Sequence, residues 1–194
     1  MGSESGAVEV AAPAAPSREE PPLRREERKL VREAQRGSAD AVAGLYSAHW
    51  PRAHRAAYLV VHDAAAAEDV AQDAFLAAVD ALDRFDRRRP FGPWLHRIVV
   101  NRAIDWARRE GLRRKVAEPE AAPGPEPPPS AVGDEMMEAL AQLPCEQRAV
   151  VVLRYLLDYT PGEIAAMLEL PRGTVNSRLR RALDRLGELI EAAA

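Results

Sequence analysis

Between Ala117 and Gly133 the chain reads AEPEAAPGPEPPPSAVG, with prolines at 119, 123, 125 and 127 to 129. Each proline fixes φ and removes a backbone donor, so neither a helix nor a sheet ladder can run through this stretch, and it is predicted to be an extended, semi-stiff linker. It divides the chain into two blocks, 23–116 and 134–194. Residues 1–22 are mostly Ala, Pro, Glu and Ser, with too little apolar surface to offset the entropy of ordering, and are predicted to be a disordered tail. Both blocks are rich in Ala, Leu, Arg and Glu, and aromatics make up only 5% of the chain. The expected fold class is all-α, two small helical domains joined by the Pro-rich linker.

The formal net charge of −3 conceals strong segregation. From Asp63 to Asp83 there are six acids and no Lys or Arg. From Arg84 to Lys115 there are eleven bases against three acids, and from Arg172 to Arg185 five Arg against one Asp. Such blocks offer surfaces of opposite sign to different partners. An unbroken acidic helix beside two basic blocks would repel nucleic acid and suits a basic protein partner.

Apolar spacing places the helices. A charged helix over about 24–36 is predicted to end at Gly37, and Ser38 and Asp40 suit the start of the next, with Val42, Leu45 and Tyr46 on one face. Val70, Phe75, Leu76, Val79 and Leu82 fall at helical spacing in 64–82 and read as an inward face. Trp94, Leu95, Ile98, Ile104 and the ring of Trp106 do the same in 93–109, which assigns both tryptophans to the core. Arg87, Arg88 and Arg89 precede Pro90 in a loop.

In the second block Pro144 suits the first turn of a helix carrying Val150, Val151, Leu153 and Leu157. Thr160-Pro161-Gly162-Glu163 has the composition of a capping box opening a short helix, 164–168. After the turn at Glu169-Leu170-Pro171, Val175, Leu179, Ala182, Leu183 and Leu186 share an inward face. Asn176, Ser177, Arg180, Arg181 and Asp184 point outward. Short helix, tight turn and second helix with an Arg/Asn/Ser outer face make a helix-turn-helix, whose second helix enters the major groove. Arg pairs well with guanine, Asn with adenine and Ser with either. Arg172 and Arg178 stand where phosphates pass. In the first block the arginines and Asn101 are the candidates for nucleic-acid contact.

Other chemistry finds little footing. The lone Cys145 cannot form an internal disulfide or a thiolate metal site, and the four histidines lack metal-ligand spacing. There is no Gly-rich phosphate loop, nucleophile elbow or HExxH helix, so the expectation is a protein that is not an enzyme and carries no metal or cofactor. No apolar run approaches a bilayer span, and the opening Met1-Gly-Ser-Glu-Ser lacks the pattern of a signal peptide, which leads us to expect a cytoplasmic protein without membrane insertion.

Two stretches carry a family resemblance. AEDVAQDAFLAAVDALDRFD with RPFGPWLHRIVVNRAIDWARR resembles region 2 of the extracytoplasmic-function sigma factors of the sigma-70 family. LPCEQRAVVVLRYLLDYTPGEIAAMLELPRGTVNSRLRRALDRL resembles their region 4. The resemblance implies that Asp69, Gln72, Asp73 and Asp80 lie on the helix that docks the clamp coiled coil of the polymerase largest subunit, with the flap of the second-largest subunit as a further contact. Arg88, Arg89 and Phe91 would belong to the loop that captures an unpaired base of the minus-10 element, with Asn101 and Arg108 on the adjoining helix. Arg154, Asn176, Ser177, Arg180 and Arg181 would face the minus-35 element. The implied function is promoter-specific transcription initiation with core RNA polymerase, under an anti-sigma factor. Two other readings fit the residues alone: a DNA-binding regulator with an N-terminal sensing or dimerising bundle, and a helical interaction module with no DNA role.

Overall fold

The computed structural model describes residues 22–113, 128 and 133–193. The predicted tail and linker therefore lie almost wholly outside the described residues. Within them there are eight α-helices and no strand: α1 Pro22–Ala34, α2 Ala39–Val61, α3 Ala64–Asp80, α4 Phe91–Arg113, α5 Asp134–Ala141, α6 Cys145–Val151, α7 Pro161–Leu168 and α8 Arg172–Ala193. A short 3₁₀ turn, Leu82–Arg84, follows α3, and a single π turn, Val152–Leu156, continues α6.

Local chemistry sets the boundaries. Gly37, at φ 89°, turns the chain out of α1, and the Ser38 hydroxyl caps α2 by accepting the Ala41 N–H. Asp63 caps α3 through Ala66 in the same way. At α7 the capping box is complete: Thr160 accepts the Glu163 N–H, and the Glu163 carboxylate accepts the Thr160 N–H. Pro144 is the N-cap of α6, one residue earlier than its predicted place in the first turn.

In the first domain α2 is the central element and packs against α1, α3 and α4. Its contact residues are largely alanines, Ala53, Ala56 and Ala57, facing Ala67, Ala71 and Ala74 of α3, all fully buried. Small side chains let the backbones approach closely, while Leu95, Val99 and Val100 of α4 and Val31 of α1 fill the remaining space. The second core is built by Val150, Leu153, Ile164 and Val175 around α8.

The two domains also pack against each other, α6 and the π turn lying on α2 and α4, and α7 on α4. The Nε2 N–H of His62 donates to the Met137 carbonyl at 2.7 Å. Nδ1 of His96 and the Tyr159 hydroxyl share a buried 2.8 Å hydrogen bond, and Arg52 reaches Asp158 and the Leu156 carbonyl.

Three expected inward residues are solvent-facing. Leu76 is 64% exposed, Val79 40% and Leu183 43%. In α3 the inward stripe is Ala67, Val70, Ala71, Ala74, Phe75 and Ala78, which the apolar character of Leu76 and Val79 obscured in the sequence.

Candidate polymerase and promoter interfaces

On α3 the residues opposite the alanine face are Asp69, Gln72, Asp73, Leu76, Val79 and Asp80, all exposed. They form one outer surface in which two apolar side chains sit among three carboxylates. Such a mixed patch suits a basic protein surface with an apolar centre, since charges orient the partner while the apolar area supplies affinity. Asp73 is also within 3.9 Å of Arg102 on α4. Leu76 and Val79 are functional candidates that the periodicity missed. The signal was present, because 69, 73, 76 and 80 follow steps of four, three and four.

The basic loop after α3 is held by side chains of α1 and of the turn that follows it. Gln35 donates to the carbonyls of Leu82 and Phe85, at 2.9 and 3.0 Å, and the Glu27 carboxylate accepts the Phe91 N–H at 2.9 Å. Burial opposes ionisation of Glu27, but its hydrogen bonds to His49 and Phe91 prevail and hold its pKa below the usual range. Arg88 folds back on Asp86, lowering the Asp86 pKa through that hydrogen bond. Arg88 and Arg89 are exposed at the tip.

Phe91 is the exception. Its ring is 3% exposed and packs with Phe85, Trp94 and His49. It cannot stack on an unpaired base without leaving that cluster. The expectation that Phe91 meets DNA directly is corrected: it anchors the loop from beneath. Trp94 joins the same cluster and Trp106 packs partly buried against the core, as assigned.

Along α4, Arg97, Asn101 and Arg108 follow helical steps of four and seven and look towards the second domain. Arg97 pairs with Glu169, and Arg108 pairs with Glu146 at 2.9 Å. The Glu146 hydrogen bond raises the pKa of the Arg108 guanidinium. The second domain thus lies over the expected DNA-facing side of α4.

In the helix-turn-helix, Glu169 adopts a left-handed conformation at φ 55° between α7 and α8. Arg172, Asn176, Arg180 and Arg181 are exposed along α8, and Ser177 and Arg178 are half-buried. The Ser177 hydroxyl donates to the Thr174 carbonyl, and Arg181 bonds back to the Ser177 carbonyl. Arg154 donates to the Tyr159 carbonyl, steadying the turn before α7. Among the described residues no group of His, Cys, Asp and Glu could hold a metal ion, and no helix is long and apolar enough to cross a membrane.

The family model for Sigma-70 region 2 matches residues 45–113, and that for Sigma-70 region 4 matches 133–186. The chain belongs to the extracytoplasmic-function sigma factors. It is 31% identical to the ECF RNA polymerase sigma factor SigW of Bacillus subtilis, over 82% of this chain and 94% of that one. It is 37% identical to SigM of Mycobacterium tuberculosis over 79% of each. Among solved structures it resembles CnrH in complex with the cytosolic domain of CnrY, with a TM-score of 0.65 and 30% identity, covering 87% of this chain and 99% of that one. It also resembles the sigma factor RpoE in complex with the anti-sigma factor NepR from Bartonella quintana, with a TM-score of 0.63 and 25% identity over 77% and 96%. Like its relatives, this sigma factor directs promoter-specific transcription initiation through regions 2 and 4.

Proposed function

We propose that the chain recognises promoters in two parts, with region 2 spanning 23–116, region 4 spanning 134–194 and a linker over 117–133. Asp69, Gln72, Asp73 and Asp80 dock core RNA polymerase, Arg88 and Arg89 trap the melted minus-10 strand with Asn101 and Arg108 alongside, and α8 reads the minus-35 duplex. There Asn176, Ser177, Arg180 and Arg181 meet base edges, Arg172 and Arg178 hold phosphates, and Arg154 braces the motif from its flank. The observation that carries this reading is the division of faces: the exposed face of α3 carries Asp69, Asp73 and Asp80 around Leu76 and Val79 in a helix without Lys or Arg, while exposed arginines crowd the loop at 87–89 and the outer side of α8. Each surface is small and binds weakly alone, but joining both to one enzyme raises the effective concentration at the second site.

Polymerase supplies the catalysis, and the chain works in the cytoplasm without a cofactor. Arg108 cannot hold Glu146 and DNA together, so the two domains part when holoenzyme forms. An anti-sigma factor keeps the free protein from polymerase. Run-off transcription with purified bacterial core polymerase on fragments of the source genome tests the reading. Discrete starts that require this protein and vanish in Asp69→Lys/Asp73→Lys are expected. Tight, specific duplex binding without polymerase, and no polymerase-dependent starts, would instead indicate a conventional DNA-binding regulator.

A further inference from the structure

The arginines of α1 have no place in the interfaces above. Helix α1 precedes the residues matched by the region 2 family model, which begin at 45. Arg28 and Arg32 lie one turn apart on its outer side, Arg36 follows in the turn leading to Gly37, and all three are exposed. Together with Arg87 and Arg88 they line an open cleft of about 440 Å³. The cleft contains no acidic, aromatic or aliphatic lining residue. Among the described residues, Arg32, Arg36 and Arg87 pair with no carboxylate. The wall is fixed to the base-capturing loop: Arg28 donates to the Arg88 carbonyl, Glu27 accepts the Phe91 N–H, and Gln35 holds Leu82 and Phe85.

Like charges gathered in one cleft repel, and an anion relieves that repulsion. Guanidinium groups match the oxygens of phosphate in bidentate fashion. The lining offers no aromatic ring for a base to stack on and no carboxylate or amide to accept from one, so the feature it meets best is the phosphate that every nucleotide shares, and recognition rests on backbone charge. The cleft opens beside Arg88, and a second small hollow continues it past Arg24, Arg89 and Pro90, its one carboxylate, Glu27, being engaged by the Phe91 N–H and His49. A strand whose base is held at the loop tip continues past the loop on both sides: α4 with Asn101 and Arg108 flanks one course, and the arginine-lined cleft of α1 flanks the other.

We propose that the cleft between α1 and the loop is a phosphate track for the melted promoter strand, in which Arg32, Arg36 and Arg87 hold the single-stranded backbone next to the base held by Arg88 and Arg89. The inference rests on the promoter-melting role of region 2 given above. The track stabilises the open complex and leaves polymerase docking and duplex reading to other faces.

The test uses full-length protein in holoenzyme, on a promoter from which the wild type starts. Open-complex lifetime against a polyanion competitor is measured across salt concentrations for the wild type, Arg32→Gln/Arg36→Gln and Arg32→Lys/Arg36→Lys, on duplex and on pre-melted bubble templates. The Gln pair is expected to shorten the lifetime several-fold on both templates. It is also expected to lower the slope of log stability against log salt by about 1.4, since each lost single-strand phosphate contact removes about 0.7. The Lys pair keeps the charge and most of the slope. Equal thermal melting of the free proteins separates this effect from misfolding. A wild type that starts nowhere overturns the parent reading and this proposal with it. A wild type that initiates, with a Gln pair matching its lifetimes and slope, overturns this proposal alone, as does a defect seen on duplex but absent on the bubble.

Discussion

The hydroxyl of Tyr159, in the turn before α7, lies 2.8 Å from Nδ1 of His96 on α4, so one buried hydrogen bond joins region 4 to region 2. Burial pushes the His96 pKa down from 6.5 to about 4, aided by the nearby His49 and Arg52, and pushes the Tyr159 hydroxyl up. A histidine buried neutral binds a proton more readily once exposed. Opening therefore takes up protons between pH 6.5 and 4, and the closed state loses stability as pH falls through that window. The loss approaches about 3 kcal/mol at its low end. Thermal melting from pH 7 to 4.5 should show this slope, and His96→Phe should flatten it without abolishing it, because burial also lowers His54 and His62. A His96→Phe protein with the wild-type slope would remove His96 as its source.

The ion pairs around this bond are more exposed and individually weak. Arg108 and Glu146 have side chains 53% and 30% exposed, a setting in which a pair contributes about 0.2 to 1 kcal/mol. Reversing Glu146 and Glu169 together (E146K/E169K) changes two attractions into repulsions against Arg108 and Arg97. Small-angle scattering should then report a larger radius of gyration, with helix content by circular dichroism unchanged. Wild-type dimensions at low salt would mean that the buried contacts alone hold the domains together.

At α7, Thr160 and Glu163 each accept the other's backbone N–H with a side-chain oxygen. Thr160→Ala removes the cap and should cost about 1 kcal/mol in chemical denaturation. Start-site selection at a permissive temperature should be retained, because Thr160 is not among the DNA-facing side chains.

On α8, Arg180 and Arg181 differ in one respect. Arg181 is held back on the Ser177 carbonyl, whereas Arg180 extends into solvent with no partner among the described residues. Arg180→Ala should therefore relax discrimination at one minus-35 base pair by about 1 to 3 kcal/mol. Arg178→Ala should weaken all promoters alike and lower the salt slope by about 0.9. Transcription from a promoter library at two salt concentrations separates these outcomes, and a uniform loss with Arg180→Ala would reassign that side chain to a phosphate.

Signals contained within one helical turn were legible in the sequence: Gly37, Ser38, the Thr160 to Glu163 box and the outward face of α8. The domain contact was not, because His62, His96 and Arg52 meet residues 63 to 106 positions away and nothing periodic links them. Phe91 was misplaced because an aromatic next to three arginines has the same composition whether its ring is offered to a base or packed beneath the loop. Leu183 was assigned inward because it stands at the edge of the apolar stripe, about 100° round the helix from the buried Ala182, where an apolar side chain fits the pattern whether it is covered or not.

Leu76 shows how such an error can be turned to use. If its apolar side chain served the core, Leu76→Ser would destabilise the bundle, as deleting a buried leucine costs about 2 to 5 kcal/mol. At 64% exposure it has little core contact to lose, and the change in folding stability should stay within about 0.5 kcal/mol. The same substitution removes the apolar centre from a surface ringed by Asp69, Asp73 and Asp80, and should weaken binding to core polymerase by about 1 to 2 kcal/mol. Melting temperature and polymerase affinity, measured on one protein, read the two effects separately. Loss of stability with affinity retained would place Leu76 in the fold, and loss of affinity alone places it in the docking surface.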